Sequence, residues 1–167
     1  LLAFLFFYSY TKRFTWLAHI YLGFAIGLAP VAVWIAIAGI PDLSIILLAL
    51  ALMTHIAGFD ILYACQDADF DRERKLFSIP ARFGIRKAFI ISGAIHVVTV
   101  ILLVMLYFTA GFGVYYFIIT GIIAILYVVE HRIVNPDDIS HINIAFFHIN
   151  SIISVLVFAA IITGYLV

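Results

Sequence analysis

The 167-residue chain is 66% hydrophobic and 11% charged, with a mean hydropathy of +1.24. Too little polar side chain is present to cover a soluble domain of this size, so the composition defines an integral membrane protein. The formal charge of zero argues neither for nor against nucleic acid, but there is no basic, aromatic-interleaved patch to bind it, and one cysteine excludes an intramolecular disulfide framework and cannot alone build a thiolate zinc site.

Residues 1–10 are apolar but too short to cross a bilayer, and they precede Lys12 and Arg13, the reverse of a signal peptide. They read as the tail of a truncated helix. Residues 14–38 make a full span that Pro30 is expected to kink, and Gly23 and Gly27 offer a small-xxx-small face for close helix packing. Gly39-Ile-Pro-Asp42 reads as a tight turn. The next span is Leu43–Tyr63, with Cys65 just beyond it as a small buried helix residue. Spans at 88–107, at 114–129 after the Gly111/Gly113 turn, and at 142–167 complete the chain. The expected fold is all-α: a multi-pass transmembrane helix bundle with about five full spans plus the end of a truncated one, and no separate soluble domain or repeat.

If the hydrophilic connections alternate sides, all nine Lys and Arg fall on one side and the opposite turns carry just Asp42. The positive-inside rule makes that basic side cytoplasmic. On it lies the richest chemistry, the connection 64–87. Asp60, Asp67 and Asp71, spaced by seven and four, share one helix face with Ala64, while Asp69 points away. Three like charges on one stripe repel, and hard oxygen ligands at this depth suit Mg²⁺. The competing reading is a solvated acidic turn paired with Arg72, Arg74 and Lys75. Carboxylates beside Arg and Lys are also what a metal-bound diphosphate needs.

Ser78-Ile-Pro-Ala reads as an N-cap with an early proline, opening a short helix that stops near Gly84 and lies over the mouth as a lid. Tyr8 and Lys12, four residues apart, put a phenol and an ammonium on one helix face at the same level, where both can donate to a phosphate oxygen. Taken singly they are ordinary interfacial residues. His19, His55 and His96 stand isolated in spans and are expected as interhelical hydrogen-bond partners. His141 and His148 share a face at a spacing of seven, as do Asn143 and Asn150, a weak basis for a metal site.

Tyr63-Ala-Cys-Gln-Asp67-Ala-Asp69-Phe-Asp71, followed by Ser78-Ile-Pro-Ala-Arg82-Phe83-Gly84, resembles the second aspartate-rich motif of the UbiA family of intramembrane prenyltransferases, in particular the 4-hydroxybenzoate polyprenyltransferases. Tyr8-Ser-Tyr-Thr-Lys12 is similar to that family's YxxxK motif. The resemblance covers essentially the entire chain. The stretches Glu130-His-Arg-Ile-Val-Asn-Pro-Asp-Asp138 and Asn143-Ile-Ala-Phe-Phe are similar to a bacterial branch linked to menaquinone synthesis by the futalosine route. The family's first aspartate-rich motif, NxxxDxxxD, does not occur here and the chain begins without Met, so it looks like the C-terminal part of a prenyltransferase.

The resemblance implies transfer of a polyprenyl group from polyprenyl diphosphate to an aromatic acceptor, 4-hydroxybenzoate first and a naphthoate as the alternative, at a bacterial inner membrane with the active site facing the cytoplasm. It implies Mg²⁺ at Asp67, Asp71 and Asp60, catalytic roles for Asp67, Asp71, Lys12 and Tyr8, and diphosphate binding by Tyr8, Lys12, Arg72 and Lys75. Two other classes remain open on the residues alone: a divalent-cation transporter and an inactive assembly subunit.

Overall fold

The computed structural model describes residues 2–140 and 142–166, apart from the side chains at 2, 5, 9, 144–146 and 166. Helix α1, Leu2–Thr11, ends where the Thr11 hydroxyl donates to the Tyr8 carbonyl at 2.6 Å. Helix α2, Ala18–Ala38, begins four residues later than the sequence suggests. The reason is local. Arg13 and Phe14 close a turn onto Tyr10 and Thr11, and the Thr15 hydroxyl accepts the Leu17 N–H, offering the backbone an alternative to helix.

Gly39, at φ 90°, ends α2, and the Asp42 carboxylate caps α3, Leu43–Tyr63, by accepting the Ile45 N–H at 3.0 Å. The lone acidic residue of that turn is thus explained by capping. Helices α2 and α3 pack through the expected small residues. A Cβ on Gly27 would lie 2.7 Å from the Ala49 carbonyl, and one on Gly23 would collide with the Met53 carbonyl, so only glycine permits this approach.

Past Tyr63 the chain tightens into a 3₁₀ turn, Ala64–Asp67, then resumes as α4, Ala68–Glu73. Cys65 is buried there, its Sγ 3.4 Å from the Ile61 carbonyl. A short α5, Ile79–Phe83, leads through Gly84 (φ 87°) into α6, Ile85–Ala110, which ends on the left-handed Gly111. Helix α7, Val114–Ile133, runs beyond the expected end at 129 and takes Glu130, His131 and Arg132 into its last turn. The last span is not one regular helix from 142: α8, Ile142–Ile144, and a π turn, Ala145–Ile149, precede α9, Asn150–Leu166. His141 and the terminal positions 1 and 167 lie outside the described residues.

Among the described residues, five segments are long and apolar enough to cross a membrane: Ala18–Ala38, Leu43–Glu73, Ile85–Ala110, Val114–Ile133 and Phe147–Tyr165. Joined by tight turns at 39–42 and 111–113, they form an all-α membrane bundle with α3 packed between α2 and α6. The polar connections gather at one end. The Phe77 N–H donates to the Lys12 carbonyl at 2.7 Å, and Arg86 grips Asp137 through both carboxylate oxygens at 2.8 and 2.9 Å. Those contacts bring the α4–α5 connection, the α1–α2 turn, the start of α6 and the α7–α8 connection together, and with them the basic residues.

Candidate active site at the basic end of the bundle

Two carboxylates of the α3–α4 segment face α1. The Tyr8 phenol donates to Asp60 Oδ2 at 3.3 Å, and the Lys12 ammonium meets Asp71 Oδ2 at 3.1 Å. One turn of α1 separates phenol and ammonium, so a single helix face supplies both donors. Asp71 is buried, with its side chain 2% exposed against 24% for Lys12, so the pair sits at the boundary of the protein interior.

Asp60 Oδ2 also lies 2.6 Å from His19 Nδ1, and the far nitrogen of that buried ring accepts the Ile79 N–H at 3.4 Å. Accepting at Nε2 leaves the ring proton on Nδ1, where it donates to Asp60. His19 is therefore an interhelical partner, as expected, but it also ties the first residue of α5 to the carboxylate. The Ser78 hydroxyl caps α5 by accepting the Ala81 N–H, Ile79 is buried, and the Arg82 guanidinium stacks over Trp16 at 5.3 Å. The short helix after Ser78 forms where the sequence placed it, docked across the start of α2.

Asp67 is exposed and lies within electrostatic reach of Tyr8 together with Asp60 and Asp71. The three do not form the straight stripe that a continuous helix predicts. Each 3₁₀ residue turns the chain about 20° further than an α residue, so the four residues 64–67 swing Asp67 and Asp71 forward by roughly 80° relative to Asp60. Asp69 points outward, as expected, and pairs with Arg72 at 2.7 Å.

The remaining guanidinium donors of Arg72 reach the Ala81 and Pro80 carbonyls at 3.1 and 3.2 Å. Arg72 thus braces the C-terminal end of α5, with its donors directed there and to Asp69. Lys75, in the left-handed region at φ 54°, is exposed and shares with Arg72 and Arg82 a groove of about 280 Å³ beside α5. The structure gathers Tyr8, Lys12, Asp60 and Asp71 directly, with Asp67 beside them, and sets Arg72 and Lys75 at the neighbouring groove.

Sequence reasoning also missed a cluster. Tyr127, Glu130 and His131 of α7 meet His96 of α6 and His55 of α3, the Tyr127 hydroxyl standing 2.7 Å from His55 Nδ1. The signal was present as spacings of three and four at the end of α7, but with Glu130 and His131 assigned to a connection it went unread.

The apolar spans thus bring a phenol, an ammonium and two carboxylates together at one polar end, with a third carboxylate exposed beside them. The UbiA prenyltransferase family matches residues 1–152, and the chain belongs to that family. It is similar to the apo structure of a UbiA homolog from Aeropyrum pernix K1, with a TM-score of 0.84 and 27% identity over 98% of this chain and 61% of that one. A digeranylgeranylglyceryl phosphate synthase shares the fold at a TM-score of 0.77 and 24% identity, over 97% of this chain and 57% of the other. The chain therefore spans about three-fifths of the length of these structures. No curated protein sequence matches it.

Proposed function

We propose that the protein carrying this chain transfers a polyprenyl group from polyprenyl diphosphate to an aromatic acceptor, 4-hydroxybenzoate by first preference and a naphthoate by second, in quinone biosynthesis. The observation that carries this reading is the convergence of Tyr8 and Lys12 from α1 on Asp60 and Asp71 from the α3–α4 segment. Donors and carboxylates at one membrane-level mouth suit a diphosphate whose charge must be balanced on leaving. An acidic turn needs no phenol, and a permeation site needs no lid.

Members of the family generally use divalent metal ions. The donor set fits: Asp60, Asp67 and Asp71 offer oxygen ligands only, with Asp67 open to solvent, which suits Mg²⁺ rather than a softer ion. Bound there, the ion would offset the negative charge of the diphosphate.

The chain's own residues do the rest. Lys12 and Tyr8 donate to diphosphate oxygens as the allylic C–O bond breaks and its electron pair leaves with the diphosphate. A ring carbon of the acceptor, made electron-rich by its phenolic oxygen, forms the new C–C bond, and the ring proton passes to solvent or a base. His19 holds Asp60 in place and anchors the lid at Ile79, and the lid with the apolar spans keeps water from the allylic cation. Lys75 binds diphosphate on its approach through the groove beside the lid, and Arg72 joins it by releasing Asp69 while its other donors keep the α5 carbonyls. The Lys and Arg gathered at this end support, by the positive-inside rule, an active site that faces the cytoplasm of a bacterial inner membrane.

The test is mass spectrometry of lipid products from purified intact protein in host-enzyme-free membranes, offered 4-hydroxybenzoate and naphthoate acceptors in parallel, with and without Mg²⁺. A prenylated aromatic that needs Mg²⁺ supports the proposal. Divalent-cation flux without product, or product unchanged by Tyr8→Phe and Lys12→Met together, overturns it.

A further inference from the structure

We propose that His96, Glu130 and His131 form a second metal centre, selective for Zn²⁺, between α6 and α7 and separate from the aspartate mouth. His96 Nδ1 stands 3.1 Å from His131 Nε2 and 3.4 Å from Glu130 Oε2, and all three ligand atoms lie within 4.8 Å of one another. Two ligands about 2.0–2.1 Å from one tetrahedral zinc ion lie roughly 3.3 Å apart, so the two short separations match a shared ion.

The proton inventory points the same way. Three ligand atoms converge at this point inside the protein: His96 and Glu130 are buried, and Glu130 Oε2 has no hydrogen-bond donor among the described residues. Between neutral histidines one proton is held by the two facing nitrogens, so Glu130 Oε2 is satisfied only by a proton of its own or by a cation. A buried carboxylate oxygen without a partner is costly, and a cation accepting all three lone pairs removes that cost.

The surroundings fix the ligands. Tyr127 stacks on the His96 ring with centroids 4.2 Å apart, and Phe89 meets the His131 ring edge-on. Gly58 of α3 makes the room for His96, since a Cβ there would lie 2.6 Å from Nε2. Gly58 and Asp60 point to opposite sides of α3, the former to α6 and the latter to α1 and α2, so the two centres are divided by that helix. With two imidazoles and one carboxylate the ion keeps a fourth position. His96 and His131 also line an otherwise mainly apolar cavity of about 510 Å³ between α6 and α7, which is where that position opens.

The experiment uses chelator-stripped, purified intact protein in detergent. Zn²⁺ is titrated against a chromophoric competitor, and Co²⁺ is substituted to read coordination from its visible spectrum, because carboxylate–water sites hold Co²⁺ six-coordinate and pale. The expected result is an intense four-coordinate Co²⁺ spectrum displaced by one equivalent of Zn²⁺. In a background of Asp60→Asn, Asp67→Asn and Asp71→Asn it persists, and His131→Gln, at a half-buried position, weakens Zn²⁺ by about 100-fold or more. Zn²⁺ binding unchanged in folded His131→Gln, or only a weak six-coordinate Co²⁺ spectrum in the wild-type protein, overturns the assignment. The wild-type spectrum decides the matter even where a variant fails to fold.

Discussion

Asp67 and Asp71 are equivalent in a linear motif and unequal in the structure, and the inequality is measurable. The Asp71 side chain is 2% exposed and holds Lys12 at 3.1 Å, whereas Asp67 is exposed. Removing charge from a repelling cluster is expected to leave stability unchanged, and for Asp67→Asn that expectation stands. For Asp71→Asn it does not. The amide keeps the shape and one acceptor oxygen but turns a charge-assisted bond into a neutral one and leaves the ammonium without its counter-charge. Breaking a fully buried pair costs about 3–5 kcal/mol. Lys12 is 24% exposed, so water recovers part of that, and a loss of about 1–2 kcal/mol is the reasonable figure.

In a chain of this length that loss lowers Tm by about 2–8 °C. The assay is thermal unfolding of the intact protein in detergent, with Lys12→Met and the double variant closing a mutant cycle. The coupling energy of Lys12 with Asp71 should be about 1 kcal/mol or more, and that of Lys12 with Asp67 near zero. Under the proposed function both aspartate variants should still lose diphosphate release by about 100-fold or more, since each would remove a ligand of the metal that offsets the diphosphate charge. Equal stability losses in the two variants, or no coupling between Lys12 and Asp71, would refute the reasoning.

The α2–α3 contact makes a second expectation. Gly23→Ala places a methyl against the Met53 carbonyl and should destabilise by about 1–3 kcal/mol, while Gly121→Ala on α7, with nothing within 4 Å of its Cβ, should be neutral or stabilising by up to about 1 kcal/mol; unfolding in detergent compares them. A third concerns sidedness. In a Cys65→Ala background, single cysteines replacing Glu73 and Asp137 should react with an impermeant thiol reagent from the same side, and those replacing Pro41 and Gly111 from the opposite side. Labelling of positions 41 and 73 from one side would break the alternation of spans on which the placement of the mouth depends.

What could be read in the sequence was what is local. Asp42, Ser78 and Gly84 announced their caps and turns because a side chain bonding its own neighbours leaves a short-range signature. Gly23 and Gly27 announced a packing face because a spacing of four survives any choice of partner. The spans followed from hydropathy over some twenty residues, which tolerates errors of a turn at either end. Tyr8 with Lys12 and the aspartates were visible as spacings on single helices.

What escaped was set by departures from ideal helix and by contacts between helices. The 3₁₀ turn at Ala64–Asp67 changes the phase of everything after it, and no residue type in Ala-Cys-Gln-Asp demands it. One further turn of α7 was enough to convert Glu130 and His131 from loop residues into groups facing His96, thirty-five positions from His131. The same logic separates the two polar centres. His19 and His96 look alike in sequence, each a single imidazole in an apolar span. His19 meets one carboxylate and one backbone N–H, so a single neutral ring satisfies both its nitrogens. His96 meets a second imidazole and a carboxyl group whose Oε2 has no hydrogen-bond donor among the described residues, so its neighbours do not settle its protons in the same way. An isolated histidine in a membrane helix is therefore assigned by counting the protons its neighbours can supply, and that count requires the neighbours on the other helices.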